Sequence, residues 1–104
     1  MINIENDIKI LLNLFSAGKY DVVLTKTKKL IREFPEYLIL YNILGSSYQN
    51  VGSLNLAKGV FIKGLKLEPN NISIMNNLAN VHKNQGEYIL AEDLFNKIIQ
   101  KKPD

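Results

Sequence analysis

The sequence predicts an all-α fold, a stack of three antiparallel helical hairpins, and three observations carry that prediction. The first is a period of 34 residues that brings Gly18, Gly52 and Gly86 into register, then Pro35, Pro69 and Pro103, then the pairs Ala57/Ala91, Phe61/Phe95 and Leu44/Leu78. The second is apolar spacing of helical type on both sides of each glycine. The third is the punctuation itself, a glycine to turn the chain inside each unit and a proline to end it. Units of this size cannot bury their apolar faces alone, so they stack and share a core. The units run from Ile4 to Tyr37, from Leu38 to Asn71 and from Ile72 to Asp104, and together form one domain. About three units are needed for a stable stack, so modest stability is expected.

In the first unit, Ile4, Ile8, Leu11, Leu12 and Phe15 place a helix over Ile4 to Ala17. Gly18 breaks it, and a second helix from Tyr20 to Glu33 carries Val23, Leu24, Leu30 and Ile31 before Pro35. The residue before a proline is pushed out of the helical region, which fixes that end. The second unit gives a helix from Glu36 to Val51, a turn at Gly52, Ser53 as a helix cap, and a helix reaching Leu67. Gly59 and Gly64 lie inside that last helix, each costing about 0.8–1 kcal/mol relative to Ala. Such a cost points to close backbone approach at one of them, and Gly64, near Phe61 and Leu65, is the expected place. In the third unit Asn70 and Asn71 can cap a helix from Ile72 to Gln85, Gly86 turns the chain, and a helix from Tyr88 to Lys101 carries Ala91, Leu94, Phe95, Ile98 and Ile99. No polar element follows to cover that last hairpin. The expectation is therefore an N-terminal piece of a longer protein, with self-association through the open hairpin as the alternative.

The composition is ordinary for a globular chain, 46% apolar and 22% charged, with no cysteine. Disulfides and thiolate metal sites are thereby excluded. The opening residues lack the basic start and unbroken apolar run of a signal peptide, and no window approaches the roughly 20 apolar residues of a membrane span. A cytoplasmic protein with no membrane partner is expected. The net charge is +3, and Lys26, Lys28, Lys29, Arg32, Lys63, Lys66, Lys97, Lys101 and Lys102 all fall late in second helices, where cations complement the helix dipole. With a single Arg and no contiguous basic face interleaved with aromatics, nucleic-acid binding is not expected.

No catalytic constellation is visible, so the chain reads as non-enzymatic. The one histidine, His82, stands one period after Tyr48 and reads as a core or hydrogen-bonded residue. A zinc site needs three or four convergent ligands and a nucleophile needs an adjacent base, neither of which this composition supplies. No metal or cofactor is expected. The Asn71-Ile72-Ser73 sequon is short enough to arise by chance, and Asn71 already has a capping role.

Tyr41, Leu44, Gly45 and Tyr48, followed by Gly52, Ala57, Phe61 and Pro69, resemble the tetratricopeptide repeat family. The third unit keeps Leu78, Ala79, Gly86, Tyr88, Ala91, Phe95 and Pro103, with Met75 and His82 where aromatics are usual. The first departs most, placing Leu11 and Val23 where the others have Gly45 with Ala57 and Ala79 with Ala91, and Thr27 in place of the phenylalanine. Its helices should be held further apart and packed less regularly. The resemblance implies a right-handed superhelical solenoid of six helices whose first helices line a concave groove for a protein or peptide partner in extended form. Carried over by place in the unit, that groove holds Glu5, Ile8, Leu12, Phe15 and Ser16, then Ile39, Asn42, Ser46, Gln49 and Asn50, then Ser73, Asn76, Asn80, Lys83 and Asn84.

Asn76, Asn80 and Asn84 share one helical face, with Asn42 and Asn50 one unit before the first and last of them. An amide both donates and accepts, so such rows could grip a peptide backbone, similar to the asparagines in the repeat domains of O-GlcNAc transferases. Ile8, Leu12 and Phe15 instead form an apolar contact patch. The places that hold an acidic chaperone tail in one branch of the family carry Ile8, Leu12, Ile43, Ser73 and Asn77, so an acidic tail is not the expected partner. The expected function is a non-catalytic interaction module. The alternatives are a substrate-recruiting segment of a larger enzyme, such as a glycosyltransferase, and a homo-oligomer assembled through the C-terminal hairpin.

Overall fold

The computed structural model describes residues 3–101; Lys102, Pro103 and Asp104, which close the third unit in the sequence, lie outside the described residues. Six helices follow one another: α1 (Ile4–Ser16), α2 (Tyr20–Glu33), α3 (Leu38–Asn50), α4 (Leu54–Leu67), α5 (Ile72–Asn84) and α6 (Tyr88–Lys101). Displacing α1 and α2 by 34 residues reproduces the bounds of α3 and α4, and a second displacement reproduces α5 and α6. The helices form an elongated body of 43 × 27 × 23 Å. None of the described helices is long and apolar enough to cross a membrane.

Each hairpin turns in the same way. Gly18, Gly52 and Gly86 have φ of 76°, 84° and 78°, a left-handed conformation that only glycine adopts without strain. The Gly18 N–H donates to the Phe15 carbonyl and the Lys19 N–H to that of Leu14, and the same pair of bonds recurs at Gly52 with Ser53 and at Gly86 with Glu87. This is a Schellman closure, which satisfies carbonyls the helix end leaves open. Between units, Pro35 and Pro69 stop α2 and α4, and the Tyr41 hydroxyl donates to the Pro35 carbonyl at 2.7 Å, tying α3 to the linker before it.

Capping differs from the expectation at one site. Asn71 accepts from the Ile74 N–H at 2.9 Å, and Asn3 caps α1 by accepting from Asn6. Ser53 makes no side-chain cap. Its ψ is 69°, against 111° at Asn71 and 94° at Asn3, because Ser53 also closes the Schellman turn of α3 and its hydroxyl is held away from the next N–H groups. The start of α3 likewise falls at Leu38 rather than Glu36, since Pro35 to Tyr37 form the turn. The second-helix cations also sort differently: among the described residues Arg32, Lys66 and Lys101 lie in last turns, where the dipole acts, and the other five stand earlier in their helices. Lys28 sits over the Tyr48 ring at 5.8 Å, so it contributes through the ring quadrupole.

The core is segmented, as stacking requires. Leu11, Val23, Leu40 and Ile43 form one cluster across α1, α2 and α3; Ala57, Phe61, Ile74, Leu78 and Val81 form another across α4 and α5. Close backbone approach is present at Gly64, as expected: a Cβ there would lie 2.8 Å from Ile74 Cδ1 and 3.4 Å from Tyr41 Cβ, side chains that reach it from α5 and α3. Phe61 occupies the space over Gly45, where an added Cβ would stand 2.6 Å from Phe61 Cζ. Gly59 has nothing within 4 Å and faces solvent. In the first hairpin the sizes are exchanged, Leu11 for Gly45 and Thr27 for Phe61, and both are buried. The helices of that hairpin approach each other less closely than those of the other two, as the larger Leu11 and Val23 predict.

Candidate functional site

The first helices α1, α3 and α5 place the groove residues side by side, and α1 and α5 each contact α3. Leu12, Phe15, Ile39, Asn42, Ile43 and Ser46 line one cleft of about 180 Å³. Leu38, Ile39, Asn42, Asn71, Ser73 and Ile74 line a second of about 190 Å³, so Ile39 and Asn42 form the ridge between them. Leu12 and Ile39 are 42% and 41% exposed, which makes the apolar part of this surface accessible.

The apolar patch expected from sequence divides. Leu12 is an exposed groove residue. Ile8 and Phe15 are half-buried against the Leu11 cluster, and Phe15 meets the Tyr20 ring edge to face with centroids 5.3 Å apart. These two therefore support the hairpin, while Phe15 also forms one wall of the cleft. Glu5 and Ser16 are exposed at opposite ends of α1.

The asparagine rows divide as well. The Asn42 amide donates to Ser73 Oγ at 3.2 Å, and its carbonyl oxygen accepts from Asn77 Nδ2, so Asn42 ties α3 to α5. Asn50 donates to the Ser46 carbonyl at 2.8 Å and accepts from the Tyr20 hydroxyl at 3.3 Å, tying α3 to α2. On α5, Asn76 and Asn84 are exposed and Asn80 is half-buried, and among the described residues their amides make no hydrogen bond. Gln49 is half-buried and Lys83 exposed on the same set of helices. The free asparagine amides are thus on α5, whereas Asn42 and Asn50 of α3 are engaged within the fold and, on that helix, Gln49 alone of the groove amides makes no hydrogen bond among the described residues. Asn77, named in the sequence only as one of the places that would hold an acidic tail, is here the partner of Asn42; that structural role was missed, and its signal was the polar-for-apolar exchange one period after the buried Ile43.

His82 is buried, and its Nδ1 lies 2.9 Å from Glu87 Oε1. Lys58 Nζ donates to the same carboxylate at 3.1 Å and to Gln85 Oε1 at 2.8 Å, while Gln85 donates to Asn55. The hydrogen bond from His82, then that from Lys58, holds the Glu87 carboxyl below its ordinary pKa. This network locks α4 to the turn between α5 and α6, and it leaves His82 engaged as a structural residue. No group of three His, Cys, Asp or Glu side chains converges as a metal site among the described residues.

The comparisons with known proteins agree with this architecture. Over 60 residues the chain is 33% identical to "Uncharacterized protein ycf37" of Pyropia yezoensis and 32% identical to that of Porphyra purpurea, covering 58% of this chain in each case. The matched segment is 34% and 35% of those proteins, so the chain spans about a third of the length of the curated relatives it matches. Among solved structures it superposes on MamA 41-end from Desulfovibrio magneticus RS-1 with a TM-score of 0.86 at 18% identity, covering 93% of this chain and 56% of that one. The type III secretion translocator chaperone SycD of Yersinia enterocolitica gives a TM-score of 0.87 at 22% identity over 95% of this chain and 77% of that one. At these identities the likeness speaks for the fold. Two models described as tetratricopeptide repeat match residues 38–71 and 60–93, the first coinciding with the central unit and the two together spanning more than half the sequence. The chain belongs to the tetratricopeptide repeat family.

Proposed function

We propose that the chain is a non-catalytic protein-interaction module, working in the cytoplasm, that holds an extended segment of a protein partner across α1, α3 and α5. The observation that carries this reading is the cleft of Leu12, Phe15, Ile39, Asn42, Ile43 and Ser46, an apolar socket followed along the groove by the unspent amides of Asn76, Asn80 and Asn84. A bulky apolar side chain of the partner fills the socket, and the α5 amides pair with its backbone, to which they can donate and from which they can accept. With Glu5 and Lys83 the only charged residues of the groove set, a neutral segment fits better than an acidic tail. The reading applies equally to the chain as one segment of a longer protein.

Selection of peptides from a displayed random library on the intact chain tests it. Binders should share one bulky apolar residue, and should lose affinity on Leu12→Ser and on Asn80→Ala but not on Lys63→Ala, which lies on α4. Binders with no common apolar residue, or indifferent to both groove changes, would overturn it.

A further inference from the structure

One place recurs in all three units, beside the fourth residue of the unit where the second helix passes it, and the units treat it differently. The central unit fills it from within: Tyr41 is 8% exposed there, and its hydroxyl donates to the Pro35 carbonyl at 2.7 Å. One unit later the residue is Met75, which has no ring and no hydroxyl to offer Pro69. A cleft of about 400 Å³ lies at that place, with the buried Met75 as its floor and Leu65, Pro69 and Leu94 as apolar walls. Ligand sites generally span roughly 300–1,000 Å³, so the cleft is large enough for one. It sits between successive units, walled by α4 and α6 with α5 beneath, and shares no residue with the two clefts of the groove.

The charge around this cleft has one sign. Lys97 and Lys101, one turn apart on α6, stand at its rim, and the other polar residues lining it, Asn70 and Gln100, are neutral. Neither lysine makes an ion pair among the described residues. In the first unit the corresponding cleft, with Asp7 in the place of Met75, brings Asp7 and Glu33 together with Lys26 and Lys29, so its charges are balanced within the chain. An apolar pocket with an uncompensated cationic rim favours an apolar group carried next to an anion. Three features narrow the apolar group to a phenol. A thioether makes favourable contacts with an aromatic ring. The same place in the central unit is filled by a tyrosine, and the Pro69 carbonyl is the counterpart of the acceptor that this tyrosine uses.

We propose that this cleft is a second docking site, which seats a tyrosine of a protein partner with Asp or Glu on either side of it. The ring lies on Met75 between Leu65 and Leu94, its hydroxyl donates to the Pro69 carbonyl, and the flanking carboxylates meet Lys97 and Lys101. The chain then holds two segments at once, a neutral one across α1, α3 and α5 and an acidic one here. A second copy is the poorer occupant, because its own tyrosines beside acids are already engaged. Tyr37 meets the Phe34 ring edge to face at 5.8 Å, and Glu87, next to Tyr88, is held by Lys58 and His82.

The probe is a fluorescent peptide, Gly-Asp-Tyr-Glu-Gly with blocked ends, titrated into the intact chain with anisotropy and amide-shift mapping. Saturable binding below about 1 mM is expected, with shifts at Met75, Leu94, Lys97 and Lys101 and none at Leu12 or Ile39. Replacing the peptide's tyrosine by Ala should weaken binding about tenfold or more, and by Phe about threefold. Replacing both acids by amides should weaken it roughly fivefold, a factor that shrinks at about 1 M salt. In the chain, Met75→Tyr refills the cleft as Tyr41 does and should abolish binding. Lys97→Glu with Lys101→Glu, two exposed positions that leave the core alone, should reverse the preference toward a peptide with Lys in place of both acids. The proposal is overturned by no saturation up to about 1 mM, by any of the altered peptides binding the unaltered chain as tightly as the parent, or by shifts confined to the groove. Octanoate binding more tightly than the peptide would assign the cleft to an acyl carboxylate. Concentration-dependent association of the chain alone, lost on Lys97→Glu with Lys101→Glu, would assign it to a second copy, and either result overturns the proposal too.

Discussion

Gly45 and Gly59 lie on the two helices of the same hairpin, and replacing each by Ala should move stability in opposite directions. Both substitutions gain about 0.8–1 kcal/mol of helix propensity, so that contribution cancels in the comparison. Gly59 faces solvent with nothing within 4 Å, and Gly59→Ala should therefore stabilise by nearly the full amount. At Gly45 the new methyl meets the Phe61 ring, 2.6 Å from Cζ. A ring can often swing away, but Phe61 is fully enclosed between the Gly45 surface and the Ile74, Leu78 and Val81 side chains. The third unit shows the contrast: Ala79 coexists there with Phe95, which is only half-buried and has a free side.

Overpacking of this kind costs about 1–3 kcal/mol, so Gly45→Ala should fall below Gly59→Ala by about that much. Urea titration followed by helical circular dichroism measures the difference directly. The mechanism is tested by adding Phe61→Leu, which removes the ring edge that the methyl strikes. The double variant should be more stable than the sum of the single changes by about 1 kcal/mol or more, since residues in contact couple. Equal shifts for the two alanine variants, or strict additivity with Phe61→Leu, would refute the account of Gly45 as the seat of the Phe61 ring.

Other changes probe other parts of the molecule. Gly86→Ala meets no neighbour but forces a left-handed alanine, so it should destabilise by about 1–2 kcal/mol in the same urea assay. Tyr41→Phe removes the bond to the Pro35 carbonyl and should cost about 0.5–1.5 kcal/mol with helicity retained. Leu12→Ser should leave the urea midpoint nearly unchanged while weakening groove binding, whereas Phe15→Ser should lower the midpoint as well, because Phe15 also supports the first hairpin. Glu87 has its pKa lowered by folding, so its stabilisation is fully present above the ordinary carboxyl pKa and is lost as pH falls through the lower folded value. Glu87→Gln should shrink the difference between midpoints measured at about pH 7 and about pH 3; an unchanged difference would place that pH dependence elsewhere.

The helices and turns were legible in the sequence because their determinants are local. A glycine 34 residues from the next glycine reports a left-handed turn wherever it occurs, and Pro35 ends α2 through its own ring. Features that depend on two distant residues were read less well. Ser53 has the chemistry of a helix cap but is already committed to closing α3, and only the backbone geometry of both helices together reveals that conflict. At Gly64 the close approach was legible but not what approaches: Ile74 and Tyr41 reach it from neighbouring helices, and nothing local to α4 names them.

The groove was half legible, and the missing half concerns hydrogen-bond partners. The period places Asn42 in line with Asn76, and Asn50 in line with Asn84, so sequence alone treats each row as uniform. Yet a side-chain amide can be spent within the fold or held free for a ligand, and its neighbours decide which. Asn77 and Ser73 claim Asn42; Tyr20 and the Ser46 carbonyl claim Asn50. For Asn76 the places equivalent to Ser73 and Asn77 fall beyond the described residues, whereas for Asn84 the place of Tyr20 is held by Leu54, which has no hydroxyl to donate. A repeat that keeps its asparagines in register therefore need not keep their partners, and each amide is read correctly only with the side chains one unit before and after it.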